Sequence, residues 1–144
     1  MTFKVKTKGQ NEGDNLIVPK LRFKEFKNTW QKMKIKDIAV VIGGGTPDTN
    51  NVEYWNGNIN WFTPSEIGKQ KYINKSERKI TYLGLKNSSA RLLPIGTILL
   101  TSRATIGEAS ILLEEGCTNQ GFQSLIAKER YAPRIYILFK KILL

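Results

Sequence analysis

The hydrophobic pattern is densest between residues 96 and 126. Ile98, Leu99 and Leu100 form a short apolar run entered from Pro94-Ile95-Gly96, a turn signal, and predict a buried strand. Thr101, Ser102, Arg103 and Thr105 follow it, all rich in hydrogen-bond donors, and Gly107 breaks the pattern. Residues 109–113 predict a second strand, and Glu114-Glu115-Gly116 the next turn. Thr118, Asn119, Gln120 and Gly121 then stand just before a third predicted strand, 122–126. Two polar clusters at strand ends suit a core poorly, because buried polar groups need partners. They suit the edges of bases, which offer matching donors and acceptors.

Upstream, residues 1–18 show no sustained period and are expected to form a mobile arm. From Pro19 the chain alternates, with Leu21 and Phe23 facing one way and Lys20, Arg22 and Lys24 the other, which predicts an extended clamp lying on the domain. From Trp30 it alternates again, Met33 and Ile35 against Lys32, Lys34 and Lys36, and then becomes continuously apolar to Ile42. This reads as a strand, a single helical turn near residues 36–39 and a short strand running into the loop Gly43-Gly44-Gly45-Thr46-Pro47. Tyr54-Trp55-Asn56-Gly57 reads as a turn and residues 59–62 as a strand. Thr63-Pro64-Ser65-Glu66 is a capping box with Pro at the first helical position, opening a helix that Gly68 keeps short. Residues 78–80 predict a strand, Thr81 the cap of a helix over 82–86, and Asn87-Ser88-Ser89 its end, where Ser88 and Ser89 serve as local caps or as DNA contacts. Beyond Ala132 and Pro133, Ile135, Leu138, Phe139, Ile142 and Leu143 fall at helical spacing, a helix with one face on the sheet and Lys140 and Lys141 in water. Trp30, Trp55, Trp61, Phe62, Phe122 and Phe139 are expected mostly in the core. The sum is an α+β domain built on a twisted, mostly antiparallel sheet with short helices, without internal repeats or low-complexity tracts.

Charge sharpens this picture. The chain has 144 residues, enough for one domain with a real core, and a formal net charge of +11. Residues 1–36 carry ten basic and three acidic side chains, residues 37–127 eight of each, and residues 128–144 five basic and one acidic. Basic ends around a neutral middle fit a division of labour in which Lys and Arg hold phosphates while polar side chains read bases. Lys20, Arg22 and Lys69 are candidate phosphate contacts, and Ser65 stands at a short helix start with free N–H groups. Arg103 has the geometry to pair with guanine, Asn119 and Gln120 with adenine, and Ser102 and Thr105 flank them. The competing reading makes Ser102, Arg103, Asn119 and Gln120 a network tying three strands together. Alternative readers are the loops at residues 48–51 and 69–74.

Several chemistries lack their residues. There is no His and one Cys, Cys117, which removes the commonest general base, a zinc site and an internal disulfide. A free thiol fits a reducing cytoplasm, and no apolar run is long enough to cross a bilayer. The glycine loop matches neither a dinucleotide fingerprint nor a Walker loop. Pro47-Asp48 with Glu77-Arg78-Lys79 resembles a metal-dependent nuclease site only loosely.

The pieces Thr-Ser-Arg-Ala-Thr-Ile-Gly (101–107) and Thr-Asn-Gln-Gly-Phe-Gln-Ser-Leu (118–125) resemble the target recognition domain of a Type I restriction–modification specificity subunit. So do Pro19-Lys-Leu-Arg-Phe with Trp30, Gly43-Gly-Gly-Thr-Pro47, Tyr54-Trp55 with Trp61, and Ile80-Thr-Tyr-Leu-Gly-Leu with Asn87-Ser-Ser-Ala90, in the same order. Thr46 and Trp55 lie in these pieces and join the candidate DNA contacts. The resemblance implies residues 19–144 as a recognition domain, with the later part of that domain, the spacer helix and the second domain expected to be missing. It implies a non-catalytic protein that reads half of a split target in double-stranded DNA. Its partners would be modification subunits using S-adenosylmethionine and a restriction subunit using ATP and magnesium; this chain itself would bind no cofactor. The alternative function is a protein-interaction fragment that binds the modification subunit, or itself, without specific DNA affinity.

Overall fold

The computed structural model describes residues 33–129. The expected arm at 1–18, the clamp at 19–26 with Lys20 and Arg22, the residue Trp30, and the helix from Ala132 with Phe139 lie outside the described residues.

The single helical turn expected near residues 36–39 forms one residue earlier, as α1 (Ile35–Ile38), so that Ile35 is helical rather than part of the strand expected before it. Asp37 causes the change: its carboxylate accepts from the Lys34 backbone N–H (3.1 Å), and its own N–H bonds the Lys34 carbonyl. Strand β1 (Ala39–Gly43) follows and pairs antiparallel with the strand made by Gln123–Ala127.

Strand β2 (Trp55–Phe62) starts earlier than expected, because Asn56-Gly57 makes a bulge rather than a turn. Trp55 and Ile59 both stand opposite Ile80, so the residues between them are extruded. Asn56 takes φ +59°, a conformation that Asn tolerates better than most residues. At Gly57 a Cβ would collide with the backbone of Ile80 and Thr81. A single 3-10 turn, Pro64–Glu66, then forms from the predicted capping box, with the Thr63 N–H donating to Glu66 Oε2 (2.6 Å).

Strand β3 (Tyr72–Ile73) has only two residues, too few to leave a period in the sequence. Strand β4 (Arg78–Ile80) and helix α2 (Tyr82–Lys86) occupy their predicted spans. Thr81 Oγ1 caps α2 by accepting from the Gly84 N–H (3.0 Å), and it donates to the Glu53 carbonyl (2.7 Å). Strands β5 (Ile98–Leu100) and β6 (Ala109–Leu112) also fall where expected. Gly116, read as part of a turn, instead starts strand β7 (Gly116–Thr118), buried at every residue. Strand β8 (Gln123–Ala127) completes the set, with Phe122 bridged to Thr101 just before it.

The strands form two sheets. One has five strands in the order β1-β8-β5-β6-β3, the other three in the order β4-β2-β7. Four pairings are antiparallel; β3 with β6 and β2 with β7 are parallel. In β5, β6 and β8 adjacent residues feed different cores, as the two-residue period of a strand requires. Ile98, Ala109, Ile111 and Leu125 join Ala39 in one cluster; Leu99 and Leu112 join Phe62, Ile67, Leu93 and Phe122 in another. Burial on both faces is why β5 reads as a continuous apolar run. A third cluster, Trp55, Trp61, Ile80, Ala90 and Cys117, lies on the smaller sheet, with Leu85 of α2 against it. Phe62 and its neighbour Trp61 therefore serve opposite sides of β2.

Candidate nucleic-acid interface

Four loops hang from these strand ends and converge. The glycine loop 44–47 leaves β1, residues 63–68 leave β2, residues 101–108 connect β5 to β6, and residues 119–121 connect β7 to β8. The Gly45 N–H donates to the Thr118 carbonyl (2.8 Å). At Gly44 a Cβ would collide with the backbone of Thr118 and Asn119, so only glycine lets these two loops touch. Above that contact Thr46 Oγ1 donates to Gln120 Oε1 (2.6 Å).

The loop after β7 is shaped by its own side chain: Asn119 Oδ1 accepts from the Gly121 N–H (2.8 Å). The Gly121 carbonyl accepts from both the N–H (2.8 Å) and the hydroxyl (3.1 Å) of Ser102. Pro64 is the meeting point. A Cβ on Gly121 would stand 2.8 Å from its ring, and its carbonyl accepts from Thr105 Oγ1 (3.3 Å). Ser65, exposed beside it, shares a hydrogen bond with Thr63 (3.0 Å between hydroxyl oxygens).

Two candidate roles separate here. Ser102 and Asn119 spend one bonding site each on holding the loops together, as the network reading expects. Arg103 does not join them: it is exposed and makes no hydrogen bond or ion pair with the described residues. Gln120 is exposed as well, and its amide N–H₂ stays available after its oxygen accepts from Thr46. The surface thus presents free donors at Arg103 and Gln120 on a braced platform.

Trp55 takes the core place expected of the aromatics rather than a place at this surface. It is buried, packs edge-on to Trp61 with ring centroids 5.1 Å apart, and carries the Arg78 guanidinium 3.7 Å above its ring. Its indole N–H donates to the Asp48 carbonyl (3.1 Å), and that of Trp61 to the Gly45 carbonyl (2.9 Å). Both tryptophans therefore position the glycine loop from below. A buried indole N–H needs a partner, and here the loop carbonyls supply it.

Lys69 lies outside the bonded cluster, exposed on the segment that leaves the 3-10 turn. That segment is tied to strand β6, since the Gly68 N–H donates to Ser110 Oγ (3.2 Å) and Ser110 Oγ to the Gln70 carbonyl (2.6 Å). It continues through Lys71 and Lys75 to Arg78 and Lys79, five cations against the single carboxylate of Glu77. This basic run beside the loop cluster was not singled out as a unit in the sequence.

In the loose nuclease pattern Asp48 is engaged locally through its carboxylate and Glu77 is held through its backbone. Asp48 Oδ1 accepts from the Asn50 N–H (2.9 Å), and the Glu77 N–H donates to Glu66 (2.8 Å). Among the described residues no group of three or more His, Cys, Asp or Glu is placed to hold a metal ion. None of the described helices is long and apolar enough to cross a membrane. The Cys117 thiol lies under the second sheet, donating to the Asn60 carbonyl (3.2 Å), and burial pushes its pKa from 9.0 up to about 12.

Residues 27–144 match the family profile of the Type I restriction modification DNA specificity domain. Over 137 residues the chain is 44% identical to the Type I restriction enzyme MjaIX specificity subunit of Methanocaldococcus jannaschii, covering 87% of this chain and 32% of that protein. Over 114 residues it is 33% identical to the EcoR124I/EcoR124II specificity subunit of Escherichia coli, covering 76% and 28%. The chain thus spans about a third of the length of these curated relatives. Its fold is similar to the crystal structure of the HsdS subunit from Thermoanaerobacter tengcongensis, with a TM-score of 0.54 at 17% identity over 78% of this chain and 27% of that one. The α+β architecture is shared with that structure, and the sequence matches fix the lineage: the chain belongs to the family of Type I restriction modification DNA specificity domains.

Proposed function

We propose that the four-loop cluster reads one half of a split target in double-stranded DNA, as the non-catalytic recognition component of a Type I restriction–modification complex. The observation that carries this reading is the separation of roles in the cluster. Ser102, Asn119, Thr46 and Pro64 brace the loops, while no described residue engages Arg103 or the Gln120 amide N–H₂. An Arg and an amide carried on braced loops are the side chains that pair in two places with guanine and adenine. Lys69, Lys71 and Lys75 lie alongside and would meet phosphates, fixing the register of the loops on the duplex. Lys20 and Arg22 are further candidate phosphate contacts. The partners are modification subunits, which supply S-adenosylmethionine chemistry, and a restriction subunit, which uses ATP and magnesium; this chain binds none of these cofactors. The setting is the cytoplasm, where the cell's DNA and a free thiol coexist.

Selection from a pool of randomised duplexes tests the reading. Specific recognition yields a short common sequence, a loss of about 1–3 kcal/mol for each wrong base pair, and steep weakening with salt. A pool that stays random, with the salt slope alone, contradicts it.

One observation favours a second role for another face. Val40 and Val41 are exposed on β1, an outer strand of the five-stranded sheet, beside a groove lined by Arg91, Leu92 and Ile126. That edge suits protein docking, and binding to a modification subunit in the absence of DNA tests it.

A further inference from the structure

The most exposed apolar side chain of the loop cluster is Ile106, 77% exposed in the connection between β5 and β6. A single exposed isoleucine is ordinary on a protein surface. The loop that carries this one is not. Ala104 is held at φ +59° and Gly107 at φ +93°, so two left-handed residues frame Thr105-Ile106. For alanine that conformation is costly, and it persists only where the surroundings impose it. They do so here. The Gly107 N–H donates to the Thr101 carbonyl (3.1 Å), the Thr101 N–H to the Glu108 carbonyl (2.9 Å), and Thr101 Oγ1 to the Thr105 carbonyl. Thr105 Oγ1 ties the loop to Pro64. A strained loop, closed at its base and anchored to its neighbour, holds a branched apolar side chain out into water, three residues from Arg103, which no described residue engages.

We infer that Ile106 reads a thymine, its side chain packing on the thymine methyl group in the major groove beside the base that Arg103 contacts. The major groove is where the methyl group distinguishes thymine and where apolar side chains recognise it. Preorganisation matters for so small a contact, because a floppy loop would lose in ordering what one methyl group contributes. This inference rests on the DNA-recognition reading above.

The test uses the full chain and the duplex obtained by selection. Each thymine of that duplex is replaced in turn by deoxyuridine, which removes the methyl group alone, and binding is measured for the parent protein and for Ile106→Ala. At one position the parent should lose about fourfold in affinity, the value of one buried methyl group, and Ile106→Ala should be indifferent to the same change. The thermal midpoint of Ile106→Ala should match the parent, since the side chain is exposed. A selected site without thymine, or deoxyuridine penalties that are equal for both proteins at every position, overturns the inference and leaves the recognition reading standing. A selection that yields no common sequence removes both.

Discussion

Arg103 is the residue on which base reading and structural bracing make opposite predictions. It is exposed and bonds to no described residue, whereas Ser102 beside it is committed to Gly121. Arg103→Ala should therefore leave the thermal midpoint unchanged. It should weaken the selected duplex by about 1–3 kcal/mol and relax the selected sequence at one base pair. Uniform weakening across random duplexes would make Arg103 a phosphate contact instead. Cys117 offers a different test. Its folded pKa, about 12, exceeds the ordinary 9.0, so above pH 9 the unfolded chain releases a proton that the folded chain keeps. The stability due to the protonated thiol is thus complete below pH 9 and is lost as pH rises toward 12. Denaturant titrations at pH 8 and pH 10 should show that loss, and Cys117→Ser should reduce it. The native thiol should also resist thiol reagents at pH 8 and react on unfolding.

At the scale of elements, the glycine loop is built on contacts that no single-residue pattern reveals. At Gly45 a Cβ would collide with the backbone of Ser89 and Ala90. Gly45→Ala should therefore cost about 1–3 kcal/mol of stability by denaturant unfolding, the usual penalty of forcing atoms into a packed site. An unchanged midpoint would mean that the loop shifts freely. Local chemistry was the legible part of this fold. The capping box at Thr63–Glu66, the Thr81 cap of α2 and the apolar run of β5 form where the sequence places them. Elements defined by tertiary pairing were not legible. Tyr72–Ile73 and Gly116–Thr118 become strands only because β6 and β2 lie alongside them in parallel, and neither is long enough to show a period. Asn56-Gly57 has the composition of a turn, but Ile80 pairs on both sides of it and makes it a bulge. The site divides in the same way. Its polar clusters were visible as residues unsuited to a core, while the demotion of Trp55 to a support for the loop depends on burial. The role of Pro64 depends on contacts from residues 105 and 121, far away in sequence.

At the scale of the whole molecule, the +11 charge implies an electrostatic term that adds affinity without sequence preference. Replacing Lys69, Lys71 and Lys75 together by Ala should weaken selected and random duplexes alike. It should flatten the logarithmic salt dependence by about one phosphate's worth of slope for each lysine that meets the backbone. A change in the selected sequence would show that this segment reads bases. The central claim is that the four loops together form the reading surface. Amide hydrogen exchange of the full chain tests it most directly, comparing the selected duplex with a random one at equal occupancy. The account predicts added protection at residues 44–47, 63–66, 102–107 and 119–121 with the selected duplex alone, and protection along residues 69–79 with both. Protection by the selected duplex that spares the four loops and falls on the β1 edge or on 69–79 alone would contradict it.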